Sequence, residues 1–246
     1  HDLATVIEGL DAGLSDFIEK YPLPVLLEIF LKVCDAVAFA HSNGIIHLDL
    51  KPENIQIGDF GEVLLLDWGL AKIHQEKDDF KPDSFSYDPF TADHTPEMTM
   101  DGVVKGTPAF MAPEQAAGKN SKRGYRTDIY ALGAILYAIL TFRPPVGGKT
   151  PDENIANALK GNIIPIRQRI PPGRTIPPPL EFVTYKALER DPKKRYASVA
   201  ELKSDIHAYI EGYATQAEEA GFFMQVWLLL RRNKLQAQIL GGAALL

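Results

Sequence analysis

Between Leu23 and Ser42 the apolar side chains Leu26, Leu27, Ile29, Phe30, Val33, Val37 and Ala40 recur three or four positions apart, after a proline at position 24 that suits a first helical turn. This spacing predicts a helix, and Asn43-Gly44 stops it. Gly44-Ile45-Ile46 predicts a short strand. Ile55-Gln56-Ile57 and Val63 to Leu66 flank GDFGE, whose glycines and aspartate are turn residues, so the two runs predict a hairpin. Thr127 to Thr141 is apolar almost all round, the pattern of a helix buried inside a domain. HDLATVIEGL predicts an opening helix. Three more helices are expected near 151–160, 179–190 and 197–212, separated by the links RPPVGG and IPPGRTIPPP. Lys72 to about Val104 is polar, acid-rich and aperiodic, and a loop of that length in a compact domain is functional or mobile. The expected fold is mainly α with a small β-hairpin.

Composition narrows the partners. The chain has 246 residues, 46% of them hydrophobic, enough for a packed core. Its 26 basic and 32 acidic residues leave a net charge of -6, so no overall basic field exists to hold a nucleic-acid backbone, and no nucleic-acid partner is expected. The single cysteine, Cys34, sits in the apolar run LKVCDAVAFA and predicts a buried, inert thiol in a reducing compartment. His1 to Leu10 lacks the charged and apolar regions of a secretory signal. Residues 221–246 read GFFMQVWLLLRRNKLQAQILGGAALL: an apolar run, Arg231, Arg232 and Lys234, then a second apolar run of about a dozen residues, where spanning a bilayer takes roughly twenty. A basic cluster before an apolar segment belongs on the cytoplasmic side of a membrane. The expectation is therefore an amphipathic juxtamembrane helix and the start of a truncated transmembrane segment over 213–246; a helix packed on the domain or on another copy is the alternative.

The chemistry concentrates in HLDLKPENIQIGDFGEVLLLDWGLAK. Asp49, Lys51 and Asn54 share one loop between two strands, and the hairpin returns Asp67 to the side of Asn54. An acid beside an amide offers hard oxygen ligands suited to magnesium, which takes few protein ligands and completes its shell with phosphates and water. Asp49 could accept a hydroxyl proton while Lys51 steadies a transferring phosphate. A single Asp-Lys pair would be an ordinary solvated loop, but the whole constellation on a hairpin points to phosphoryl transfer.

These residues resemble a known family. HLDLKPEN is similar to the catalytic loop of eukaryotic-type protein kinases, DWG to their DFG metal motif, and Ala112 to Glu114 to the APE that ends their activation segment. The resemblance covers about residues 2–212, and its DWGLAK phrasing, GDFGEV hairpin and basic, apolar tail are most similar to bacterial membrane-anchored serine/threonine kinases. It implies ATP and Mg2+ as cofactors and Asp49 as catalytic base. Lys51 would contact the γ-phosphate, and Asn54 and Asp67 would hold the metal; Lys51, Glu53, Asn54, Gln56 and Asp67 would make up the nucleotide site. Thr107 would bond to the catalytic aspartate and lysine, and with Lys51 it indicates serine and threonine substrates on proteins. His47, Trp68, Glu114, Asp128 and Arg195 would be structural: Asp128 holding the catalytic loop and Arg195 pairing with Glu114.

Three positions depart from the family pattern. Leu48 stands where an arginine usually reads activation-loop phosphate, Trp68 replaces phenylalanine and enlarges an apolar plug, and Gln56 faces the adenine floor where an apolar residue is usual. The 246 residues also contain no GxGxxG and no strand lysine of the VAIK type before the first helix. The resemblance therefore implies the kinase C-lobe over 1–212 without its N-lobe. Such a fragment is expected to be soluble and inactive alone, and to self-associate through the uncovered lobe face or the C-terminal helix; its parent would sit on the cytoplasmic face of the inner membrane, spanning it once. Two other readings remain: a kinase-like scaffold or pseudokinase acting as a binding module, and a small-molecule phosphotransferase of the antibiotic-kinase type.

Overall fold

The computed structural model describes residues 1–73, 108–118 and 123–218. Its centre is the helix foreseen as apolar all round. Helix α5 (Tyr125–Thr141) has every residue from Thr127 to Thr141 buried. Around it pack α3 (Leu23–Ser42) and α7 (Pro178–Ala187), and α8 (Val199–Glu211) packs on both of these. Gly133 explains how closely α5 and α7 approach: a Cβ at that position would lie 2.7 Å from the Cβ of Ala187 and 3.2 Å from its carbonyl carbon.

The shorter elements sit at the edges of this core. Helix α1 (Leu3–Asp11) is capped by the Asp2 side chain, which accepts from the Thr5 N–H, and buries Leu3, Val6, Ile7 and Leu10. Helices α2 (Ser15–Lys20), α4 (Pro113–Ala116) and α6 (Pro151–Lys160) complete the helical set. Helix α6 opens on the Thr150 cap and closes on the left-handed Gly161. Strand β1 (Ile45–Ile46) pairs antiparallel with β4 (Lys72–Ile73) in the register Ile45 to Ile73. Strand β2 (Ile55–Ile57) pairs with β3 (Val63–Leu65), placing Gln56 opposite Leu64. The fold is thus mainly α with two two-stranded sheets among the described residues.

Most sequence expectations hold, with limits. The helix at 23–42, the hairpin and the helix at 151–160 lie where the pattern put them; the helix expected over 179–190 is shorter and ends at Ala187, and the last runs over Val199–Glu211. Cys34 is buried as expected, and burial pushes its thiol pKa far up. Helices α2 and α4 and the β1–β4 pairing were not foreseen. Beyond Gly212 the chain stays attached: Asp205 of α8 accepts from the N–H groups of Gln216 at 2.6 Å and Ala217 at 3.0 Å and from the Tyr196 hydroxyl at 2.7 Å. The long segment 74–107, with Thr107, and the tail from 219 onward lie outside the described residues. Among the described residues no helix is long and apolar enough to cross a membrane.

Candidate active site

The loop after β1 is held from below by one carboxylate. Asp128, four residues into α5 and 1% exposed, accepts from the N–H of His47 at 2.8 Å through Oδ2 and from the N–H of Leu48 at 2.9 Å through Oδ1. His41, on α3, adds its Nε2 at 2.8 Å from the same Oδ2. Charge-assisted bonds of this kind contribute about 1.5–3 kcal/mol each. They act on a strained residue, because Leu48 has φ 64, a left-handed conformation that costs a non-glycine residue about 1–3 kcal/mol. Its side chain is turned into the core at 6% exposure. Position 48 therefore contributes packing where the family arginine would carry a charge.

His47 is fully buried, and its hydrogen bonds define its state. The Asp49 N–H donates to Nδ1 at 3.2 Å, so Nδ1 carries no proton and Nε2–H donates to the Leu66 carbonyl at 3.2 Å. The ring is neutral; burial pushes its pKa down, opposed in part by the nearby charge of Asp128. Trp68 packs against it with ring centroids 4.4 Å apart. The indole is half-buried and donates through Nε1 to the Leu65 carbonyl at 3.1 Å, which tethers it to the end of β3.

Above this support the chemical groups converge. Lys51 Nζ donates to Asp49 Oδ2 at 2.8 Å. Asn54, in the single turn Pro52–Asn54, donates through Nδ2 to the same Oδ2 at 3.2 Å and to the Asp49 backbone carbonyl at 2.8 Å. Both side-chain contacts fall on Oδ2, which leaves Asp49 Oδ1 to accept a proton. The amide nitrogen of Asn54 is likewise committed, which leaves its Oδ1 as the atom that could meet a metal. The Leu66 N–H donates to the Asn54 carbonyl at 2.8 Å, and this bond fixes the following residue, Asp67, next to Asn54 along the hairpin. Asp67 is exposed and left-handed at φ 58, with Oδ1 accepting from the Gly69 N–H at 3.3 Å. Hard oxygens from one buried amide and one exposed carboxylate fit a magnesium ion that brings its own phosphates and water.

The remaining expected residues separate clearly. Glu53 is exposed on the same turn, and Gln56 is half-buried between Ile55 and Ile57, which point to the core. Glu114 and Arg195 form the expected buried pair: Nη1 to Oε1 at 2.7 Å and Nη2 to Oε2 at 2.8 Å, with 5% and 0% side-chain exposure. Arg195 also donates to the carbonyls of Glu189, Arg126 and Arg190, and the Thr127 hydroxyl donates to Glu114 Oε1 at 3.0 Å. Sequence reasoning missed His41, Thr127 and Gln115. His41 follows Val37 and Ala40 on the buried face of α3, where a polar ring needs a partner. Gln115 stands three residues after the Ala112 cap, the spacing of a reciprocal cap.

The comparisons with known proteins meet this geometry. A family profile for the protein kinase domain matches residues 2–207. The chain belongs to the protein kinase domain family. It is 42% identical over 208 residues to the serine/threonine-protein kinase PknD of Chlamydia felis, an alignment covering 82% of this chain and 21% of that protein. The PknD proteins of Protochlamydia amoebophila (44% over 189 residues, 76% and 18% covered) and Chlamydia pneumoniae (40% over 198 residues, 80% and 20% covered) are similar as well. The chain thus spans about a fifth of the length of these kinases. Asp128 and the Glu114–Arg195 pair tie the His47–Leu48 loop and the start of α4 to the same central helix.

Proposed function

We propose that this chain is the C-lobe of a serine/threonine protein kinase, and that Asp49, Lys51, Asn54 and Asp67 carry the transfer of the ATP γ-phosphate to protein serine or threonine. The observation that carries the reading is the convergence of Lys51 Nζ and Asn54 Nδ2 on one oxygen of Asp49. That arrangement occupies one carboxylate oxygen and leaves the second, Asp49 Oδ1, for an incoming hydroxyl, whose proton it accepts. Lys51, two residues on, supplies positive charge where the transferring phosphate gains negative charge. Asn54 Oδ1 and the Asp67 carboxylate hold magnesium, and Glu53 and Gln56 border the nucleotide; for Thr107, outside the described residues, the kinase resemblance implies a bond to the catalytic aspartate and lysine. Mg2+-ATP, when bound, supplies the phosphoryl group and the charge that neutralises its oxygens.

The open face of the hairpin supports the division into lobes. Leu64, the cross-strand partner of Gln56, is 58% exposed, and Leu66, Leu70 and Phe60 are 43%, 52% and 94% exposed. An apolar surface of this kind calls for a cover, and the N-lobe of the intact kinase fits it. These 246 residues alone then lack half of the phosphate cradle and are inactive, and they self-associate through the same face. The segment from 219 onward, with its basic cluster between apolar runs, is the membrane-proximal end on the cytoplasmic side. A peptide-phosphorylation assay with Mg2+-ATP tests this directly. The chain alone should give no transfer above background and the protein with an N-lobe should give transfer to serine or threonine; robust transfer by the chain alone would refute the division.

The scaffold alternative has one observation in its favour, the buried Leu48 side chain at the position of the family arginine. It leaves the Asp49–Lys51–Asn54 cluster without a purpose.

A further inference from the structure

We propose that Gln115 is a positioning residue for the catalytic aspartate, a clamp that fixes the Leu48–Asp49 peptide from the activation-segment end without any phosphate. The proposal rests on the kinase reading above. Gln115 Nε2 donates to the Leu48 carbonyl at 2.8 Å, a bond across 67 residues of sequence. Its Oε1 accepts from the Ala112 N–H at 3.2 Å, so one side chain ties the start of α4 to the catalytic loop. The peptide entering Asp49 is then held on both edges: its carbonyl by Gln115 and its N–H by His47 Nδ1 at 3.2 Å. Leu48 itself is held at both ends, its N–H by Asp128 of α5 and its carbonyl by α4.

The left-handed φ of Leu48 gives this clamp its importance. A leucine persists in that conformation only where its surroundings over-determine it. Its buried side chain carries no charge through which a phosphate could set the loop. Among the described residues of the activation-segment end, Gln115 is the one whose side chain bonds to the loop backbone next to Asp49. Releasing it would let the Leu48–Asp49 peptide rotate, misplacing the carboxylate with Asp49, Lys51 and Asn54 all intact. Displacements of about 1 Å at a reacting group can cost a hundredfold in rate.

Gln115→Glu separates this role from a merely structural one. The glutamate still accepts from the Ala112 N–H and suits a helix start, so the fold should survive and the unfolding midpoint should fall less than in Gln115→Met. As a carboxylate it has no proton to give the Leu48 carbonyl; when protonated it does. Gln115→Met, of similar length, loses both bonds at every pH. In the 246-residue chain, amide exchange at Asp49, normalised for the intrinsic pH effect, should be at least tenfold faster in Gln115→Glu than in wild type at pH 8. The gap should narrow as pH is lowered toward about 4.5, close to the ordinary glutamate pKa, whereas in Gln115→Met it should not. In the protein with an N-lobe, kcat of Gln115→Glu should fall at least tenfold at pH 8, with KM for ATP within twofold, and its ratio to wild type should rise on acidification. Unchanged Asp49 protection, or an unchanged kcat, in Gln115→Glu at pH 8 would overturn the clamp. If wild type with an N-lobe shows no transfer, the kinase reading fails instead, and the exchange measurement alone still decides whether the clamp exists.

Discussion

Arg195→Met should be among the most damaging single changes available to this fold. Arg195 has no exposed side-chain surface and donates five hydrogen bonds, two to the Glu114 carboxylate and three to the carbonyls of Arg126, Glu189 and Arg190; its guanidinium also lies 4.9 Å from the centre of the Tyr130 ring. Methionine fills most of the volume and satisfies none of these groups. Glu114, 5% exposed on its side chain, would keep only the Thr127 hydroxyl. Breaking a buried pair by removing one partner costs about 3–5 kcal/mol, against a total stability of about 5–15 kcal/mol for a domain. At a slope of about 2 kcal/mol per M of urea, the unfolding midpoint followed by circular dichroism should drop by roughly 1.5–2.5 M. Glu114→Leu should cost a comparable amount by stranding the arginine. The double variant strands no charge, so its loss should be smaller than the sum of the singles by at least about 2 kcal/mol. Additive losses, or a single loss below about 1 kcal/mol, would show that the pair does not carry the junction between α4 and the segment after α7.

Gly133→Ala should destabilise the chain by about 1–3 kcal/mol through overpacking, because its Cβ would meet Ala187 at 2.7 Å; an unchanged thermal midpoint would show that α5 and α7 can part without cost. His47, buried and neutral with a lowered pKa, binds its proton more weakly in the folded than in the unfolded chain. Its contribution is therefore complete above about pH 6.5 and is lost as pH falls from there toward the folded-state value. Urea titrations at pH 7.5 and 5.5 should show a loss that His47→Gln reduces, and an equal loss in both would rule His47 out as its source. Mn2+ as a paramagnetic probe, added with ATP, should broaden the side-chain amide signal of Asn54 and leave that of Asn157 on α6 sharp; equal broadening would remove Asn54 from the metal site.

Legibility followed the physics of each element. The helices at 23–42 and 125–141 are long enough for their periodicity to outweigh local noise, and the Asn54–Asp67 neighbourhood follows from hairpin register alone. Helices α2 and α4 and the two-residue strand β4 are too short to carry a period, so the expected strand β1 had no visible partner. The bonds from His41 to Asp128 and from Gln115 to Leu48 cross 87 and 67 residues, so they exist only once α3, α4 and α5 have packed. The left-handed Leu48 was equally hidden, since nothing in the residue type announces a conformation that leucine avoids. At Trp68 the sequence showed the size of the ring but not the bond that its indole N–H makes to the Leu65 carbonyl.

The central claim is that Asp49, oriented by Lys51 and Asn54, takes the proton from a serine or threonine hydroxyl as phosphate is transferred. Its most direct measurement is single-turnover transfer from Mg2+-ATP to a serine peptide by the protein with an N-lobe, comparing wild type with Asp49→Asn. The account predicts that Asp49→Asn binds Mg2+-ATP as wild type does and unfolds at a similar urea concentration, while transfer falls by roughly a hundredfold or more. Transfer at an undiminished rate in Asp49→Asn would contradict it.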